Sequence, residues 1–403
     1  GAATAASAGL PAILQSVAAS SSGAYVVAVG GSAGSTGPYD LQSILNAAFF
    51  RSSDPFDSFG TAFDLGSAFT PLDTVPLSDR AGIVGAHPTA PGTAQVASFS
   101  LAVGQATTIA IRGTSSPAHI ALYDGVGNAL ALGAAVGGDI DEAIAGFVAP
   151  ITGTYFVVIT GEPSATYGLV VTRGADFGRH AVDFASAQPL DGTAVVLGGL
   201  PKGTATGDWY RFNVNAGDNI VLTTTTPGGT SATGLQPVNR LAPTLSLYDP
   251  AGNLVASATG NAGDGRNDVI DWTGLSSGSY RAQLESAAPD GFGEYTLAVQ
   301  GATGGLGPFA VASTAPADGA KLRKAPTSIT VTLDSSVRID SVSTSDLMVD
   351  GVFATGFTLV DDHTVVFAIP VLSPGTHTVS VSGLLDLSGV SLTPANFGFT
   401  TVK

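Results

Sequence analysis

The chain has 403 residues, 44% of them hydrophobic and only 11% charged, with 53 Gly and 23 Pro. That balance excludes a disordered chain and suits many short strands joined by Gly- and Pro-rich turns, in about three domains. A net charge of −16 argues against nucleic acid as a partner, because phosphate binding needs a cationic surface, and the absence of Cys excludes disulfides and thiolate chemistry.

Nothing in the chain approaches the roughly 20 uninterrupted apolar residues of a membrane helix, so no membrane span is expected. No Lys/Arg-headed apolar segment opens it either. The first patterned stretch is SGAYVVAVGGSAGSTGPYDL at 22–41. Gly23-Ala-Tyr25 leads into an alternating run, YVVAV, and a Gly/Ser loop separates it from a second strand at Tyr39. A glycine that permits the turn, then β-branched and aromatic residues, predicts a hairpin. The next segment, 39–66, has a partly helical look around 41–50. The alignment described next puts Tyr39–Ile44 on a strand and leaves 47–62 as a linker.

The hairpin phrase returns at 152–169 and 277–297, with Tyr155 and Tyr280 standing where Tyr25 stood. Upstream of each lies a strand and a turn, ALYDGVGNAL (121–130) and SLYDPAGNLV (246–255). The intervals Tyr123–Tyr155 and Tyr248–Tyr280 are both 32 residues. Asp caps each turn, and Pro250 fixes φ in the second. Further upstream SFSLAVGQATTIAI (98–111) matches RFNVNAGDNIVL (211–222), setting Phe99 over Phe212 and Gly104 over Gly217. The second copy is longer, and TPGGTSATGLQPVNR (226–240) is its inserted loop.

Two copies therefore occupy roughly 55–176 and 183–303. The interval carried back from Tyr25 falls before residue 1, so residues 1–50 are expected to hold the last third of a further copy. Its missing strands would come from a longer protein or from strand donation by another chain.

These residues resemble the bacterial pre-peptidase C-terminal (PPC) domain. The likeness is carried by DWYRFNVNAGDNIVL (208–222), LYDPAGN (247–253), SGSYRAQL (277–284) and GEYTLAV (293–299). The first copy departs early, with Gln95 for Asp208 and Ala97 for Tyr210. From about 308 the phrasing changes. STAPADGAKL, SITVTLDSSV (328–337), the run at 363–392 and FGFTT (397–401) resemble bacterial Ig-like domains of the surface-layer type. The resemblances imply an all-β chain of tandem β-sandwich, jelly-roll-like modules: 1–50 partial PPC-like repeat and linker, 51–176 and 177–303 PPC-like, 304–403 Ig-like.

Catalytic constellations are absent from the spacing. His87, His119, His180, His363 and His377 are scattered without zinc-site spacing, and no G-x-S-x-G elbow appears. His377 reads as a strand residue and His363 as a turn residue. The one ligand expectation is calcium, which wants six to eight hard oxygens. GGDIDE (137–142) and GDGRND (263–268) place Asp139, Glu142, Asp264, Asn267 and Asp268 in equivalent Gly-rich loops. Against this, the loops lack D-x-D-x-D-G spacing, and Asp-Gly loops are commonly plain turns. Trp209, beside Phe212, reads as core; Trp272 reads as exposed and open to a sugar.

The expectation is a non-catalytic, extracellular or cell-surface array of modules. It would serve as stalk, spacer or filament segment, packed as a semi-rigid rod against neighbouring modules or copies of itself. The alternative is a set of accessory modules binding polysaccharide or matrix beside a hydrolase domain outside this chain.

Overall fold

The computed structural model describes residues 2–5, 12, 14, 25–31, 36–38, 41, 47–72, 78–137, 140–190, 195–202, 207–228, 239–273, 276–305 and 307–402. The described chain is all-β, with strands joined by turns and short 3-10 segments. Its sheets pair face to face around three separate apolar cores.

In the first sandwich one sheet runs in the spatial order Ala47–Phe50, Asp79–Ala86, Thr166–Arg173, Ala106–Gly113, Ile140–Val148 and Ala134–Gly137. The facing sheet runs Phe63–Asp64, Gln95–Leu101, Gly153–Gly161, Ala118–Tyr123 and Ala129–Leu132. The second sandwich repeats the latter order strand for strand, as Gln188–Pro189, Asp208–Val214, Gly278–Ser286, Pro243–Tyr248 and Leu254–Thr259. Its other sheet runs Asp176–Phe177, Val195–Leu200, Gly293–Gln300, Ile220–Thr225 and Val269–Trp272.

Register explains the tyrosine spacing. Tyr155 stands opposite Phe99 and Tyr280 opposite Phe212, all on the core side. The strand DWYRFNV buries every second residue, as a sheet with one face on the core must. Tyr167 and Tyr295 lie over Gly85 and Gly198, where a Cβ would come within 2.5 Å and 2.4 Å of the respective rings. Only glycine fits there. The two Asp turns also coincide: Asp124 accepts from the amides of Val126 and Asn128, and Asp249 from those of Ala251 and Asn253.

The opening of the chain departs from expectation. Residues 25–31 belong to no strand, and Val26 is 91% exposed. A hairpin without a sheet to join is marginal in water, and Tyr39, on its expected second strand, lies outside the described residues. Residues 47–62 are not a linker. Ala47–Phe50 pairs in parallel with Asp79–Ala86, burying Ala48 and Phe50, and Phe56 and Phe63 pack their rings on Phe50.

The third sandwich joins Val311–Ala315, Ser328–Leu333, Thr364–Ala368 and Gly356–Leu359 to a sheet of Ala320–Leu322, Ala395–Thr401, Gly375–Val381, Leu347–Val349 and Val352–Phe353. The expected rod gives way here to a folded-back arrangement. Leu387, on a turn of the third sandwich, inserts into the apolar core of the first, and its carbonyl accepts a 2.9 Å hydrogen bond from the Val148 amide. The third unit therefore touches the first, not only its sequence neighbour. Replacing Leu387 by Glu would put a charge into that core. The Leu387→Glu chain is expected to keep its β content by circular dichroism and to show a larger radius of gyration by small-angle scattering.

Candidate functional site

The acidic loops come first, since the sequence singled them out. Asp139 lies outside the described residues. Glu142, on the Ile140–Val148 strand, has both oxygens engaged: Oε1 lies 2.6 Å from His119 Nδ1, and Oε2 accepts from the Ile120 amide at 2.9 Å. Asp264 accepts from the amides of Arg266 and Asn267, each at 2.9 Å, and from Asn267 Nδ2 at 2.6 Å. It caps its own turn. Asp268 is fully buried, with Oδ1 accepting from the Gly260 amide at 2.6 Å. Asn267 Oδ1 and Asp268 Oδ2 are buried without a partner. Structure thus joins Asp264 to Asn267, while the side-chain oxygens still open to a cation number two. A calcium ion there would have to draw on carbonyls and water for the rest of its shell.

Among the described residues, Asp361, Asp362 and His363 share one turn with their ligand atoms within 4.8 Å of one another. His363 Nδ1 lies 3.0 Å from Asp362 Oδ1, and hydrogen bonding to that carboxylate raises the imidazole pKa. The carboxylate of Asp362 thus occupies Nδ1, one of the two ring nitrogens. His377 is a strand residue, as the sequence suggested. Its Nδ1 lies 2.7 Å from Asp350 and its Nε2 3.2 Å from Thr401 Oγ1, which superficially suggests a nucleophile triad. The Thr401 hydroxyl is buried and donates to the Ser373 carbonyl at 3.2 Å, so it is held by the fold rather than presented to a substrate.

Two buried polar clusters occupy corresponding places in the first two sandwiches. In the first, Tyr167 donates to Gln95 at 2.9 Å and His87 stacks on the ring. In the second, Tyr295 donates to Asp208, Tyr210 meets the Tyr295 hydroxyl at 2.6 Å, and His180 Nδ1 approaches Asp208 at 2.5 Å. Burial raises the Asp208 pKa, and the bonds from Tyr295 and His180 oppose that rise. The departures noted in the sequence, Gln95 for Asp208 and Ala97 for Tyr210, are thus local replacements within one frame.

Between the first two sandwiches lies a carboxylate bonded on both oxygens. Asp176 is 1% exposed. Its Oδ1 accepts from Thr108 Oγ1 at 2.8 Å and the Phe177 amide at 2.7 Å, and its Oδ2 from Gln188 Nε2 at 2.9 Å and Arg179 at 3.3 Å. A cleft of about 350 Å³ opens beside it, bounded by Val136 and Ala143, by Arg179, and by Phe309, Ser336 and Asp386 of the third sandwich.

The tryptophans exchange their expected places. Trp209 stands on the outward face of its sheet, 5.0 Å from Tyr248 and 5.8 Å from Phe184 by ring centroid. Trp272 packs against the second core. Alternation decides this: Asp208, Tyr210 and Phe212 point inward, so Trp209 cannot. That parity was available in DWYRFNV, whose apolar Tyr210 and Phe212 already marked the buried set.

The family model of the CopC domain matches residues 311–385, within the third sandwich. No curated protein matches the chain. Among solved structures, CopC from Methylosinus trichosporium OB3b is 13% identical and covers 23% of this chain and 92% of its own, at a TM-score of 0.19. The pre-peptidase C-terminal domain of collagenase from Bacillus anthracis is 21% identical, covering 28% and 94% respectively, at 0.22. The SGBP-B protein of a Bacteroides ovatus mixed-linkage glucan utilization locus, solved with a mixed-linkage heptasaccharide, is 14% identical and covers 71% and 60%, at 0.19.

Burial raises the Asp268 pKa to about 6. A folded-state pKa above the unfolded value means that the folded chain binds more protons between about pH 4 and pH 6, so this group's contribution to stability falls as pH rises through that window. Asp268→Asn is expected to flatten that slope and to raise stability at pH 7 by on the order of 2–3 kcal/mol, read from urea unfolding. With two free side-chain oxygens in the loop, melting curves in EDTA and in millimolar calcium are expected to coincide; a calcium-dependent rise abolished by Asn267→Ala would establish the ion.

Proposed function

We propose that this chain is a non-catalytic structural segment of a secreted or surface-exposed bacterial protein. On this reading it holds two PPC-like copies and an Ig-like sandwich as one compact spacer. The observation that carries the reading is the buried Asp176 cluster, which bonds strands of two sandwiches into one network. The common strand order of the first two sandwiches supports the duplication. Among the described residues no helix is long and apolar enough to cross a membrane, and the lack of Cys leaves the units dependent on their own cores. Such units offer fixed spacing. If the network fixes that spacing, Asp176→Ala takes the acceptor from the Thr108 hydroxyl and the Arg179 guanidinium and one of two acceptors from Gln188 Nε2. The expected cost is about 3–5 kcal/mol, with denaturant unfolding splitting into two transitions as the sandwiches uncouple. A single unshifted transition would count against the spacer reading.

A second reading adds self-association. Tyr25, Val26, Val27 and Val29 form an exposed uncharged run of strand-forming residues, the kind of segment that joins a sheet edge of another copy. Sedimentation velocity is expected to show concentration-dependent association of the native chain and its loss in Val26→Lys. Monomers at every concentration would remove this second reading.

A further inference from the structure

The outward face of the Gln188–Thr259 sheet carries a set of side chains that its fold does not require. We propose that this face binds a polysaccharide bearing carboxylates, of the uronic-acid class. This goes beyond the spacer reading and stands or falls separately from it.

Register arranges the side chains in rows. Arg211 stands directly opposite Arg281, and Arg281 directly opposite Tyr248. In the next row Trp209 stands opposite Gln283. Phe184 closes one end, with the Arg281 guanidinium 4.0 Å above its ring. The Tyr248 hydroxyl donates to Gln283 Oε1 at 2.9 Å, which directs the amide nitrogen elsewhere.

The first sandwich supplies an internal comparison. At corresponding register positions it has Ser98, Phe156 and Tyr123 in one row and Val96 and Val158 in the next. The same frame therefore forms without either arginine and without the tryptophan. Like charges directly opposite each other on one sheet face destabilise it. Neither arginine is in an ion pair with a carboxylate among the described residues, in a chain with 31 acidic and 15 basic residues. Arg281 is steadied by the Phe184 and Ser279 carbonyls at 3.1 Å and 2.8 Å, and no hydrogen bond of the Arg211 guanidinium is found among the described residues. The Arg281 pKa is lowered by burial, with the Arg211 charge adding to it.

An arrangement that costs stability and lacks an internal counter-charge is complementary to an external anion. A guanidinium fork matches a carboxylate in two parallel hydrogen bonds. Trp209 and Tyr248 add apolar ring faces with polar edges, suited to the hydrophobic face of a pyranose. Adjacent strands lie about 4.8 Å apart and alternate residues about 7 Å along a strand. The two cations and the ring therefore fall within reach of neighbouring sugars. A nucleic acid duplex, with a charge every ~1.7 Å, calls for a denser run of cations than two arginines supply; a polymer with one carboxylate per sugar spaces its charges more widely.

Affinity electrophoresis of the full chain through gels containing polygalacturonate, neutral galactan or poly-glutamate tests this. Polygalacturonate is expected to retard the chain, less so at high salt, while the other two polymers leave it unretarded. Arg211→Ala is expected to weaken retardation about tenfold, Arg211→Ala with Arg281→Ala to remove it, and Trp209→Ala to weaken it without changing charge. Relief of the cross-strand repulsion should leave the Arg211→Ala melting temperature at or above that of the native chain, so lost binding is separated from lost folding. Absence of retardation by polygalacturonate, equal retardation by neutral galactan or poly-glutamate, or an unaffected Arg211→Ala chain would each overturn the proposal.

Discussion

Asp176 sits where the first sandwich ends and the second begins, and the arrangement of the molecule depends on how it is satisfied. A carboxylate taken out of water is costly unless hydrogen-bonded on both oxygens. Here donors come from Thr108 on a strand of the first sandwich and from Gln188 and Arg179 beside the second. Rotation of one sandwich against the other would strip those donors away. Beside this cluster, Phe177 packs with Ala110, Ile140 and Ala143 on one side, and with Leu72, Val195 and Leu197 on the other. The residue following the buried charge is thus an apolar plug between the two units. Arg80 of the first sandwich and Glu294 of the second form an ion pair across the same junction.

With that angle set, the third unit has a defined place to land. Its connection from the second is pinned by Asn213 and Asn215, which donate to the Gly305 and Thr303 carbonyls. Leu387 then reaches the first core. Among the described residues, the Asp176 cluster, Phe177 and the Arg80–Glu294 pair join the first two units, and Leu387 joins the third to the first.

Much of the frame was legible in the sequence because it rests on strict periodicities. Tyrosine intervals, Asp-capped turns and alternating strands report local geometry, and local geometry is what pattern carries. The misreadings were of another kind. Its neighbour Phe212 points Trp209 to the core, although two residues on one strand share a face only at even separation. The run YVVAV has the composition of a strand, but a strand exists only where an edge is available to pair with it. Ala47–Phe50 carries no local strand signal because its partner, Asp79–Ala86, lies far along the chain. Leu387 gives no signal in sequence, since a leucine in a turn that packs across units looks like any surface leucine. The two acidic loops match in spacing, yet Glu142 lies within a strand while its counterpart Asn267 lies in the turn that Asp264 caps; equal spacing does not mean equal chemistry.

The strand order common to the first two sandwiches also separates what both hold from what one adds. Gly85 and Gly198, Tyr155 and Tyr280, and the two Asp turns stand at corresponding positions in both. Arg211, Arg281 and Trp209 belong to the second copy alone.

The claim most open to test is that the three sandwiches form one docked body. The Val148 amide, bonded to the Leu387 carbonyl across the contact between the first and third units, reports on it in the native chain. Docking predicts that this amide exchanges with deuterium as slowly as the core amides of its own strand. Exchange at the rate of an exposed edge would show the third sandwich free of the first and would contradict the account.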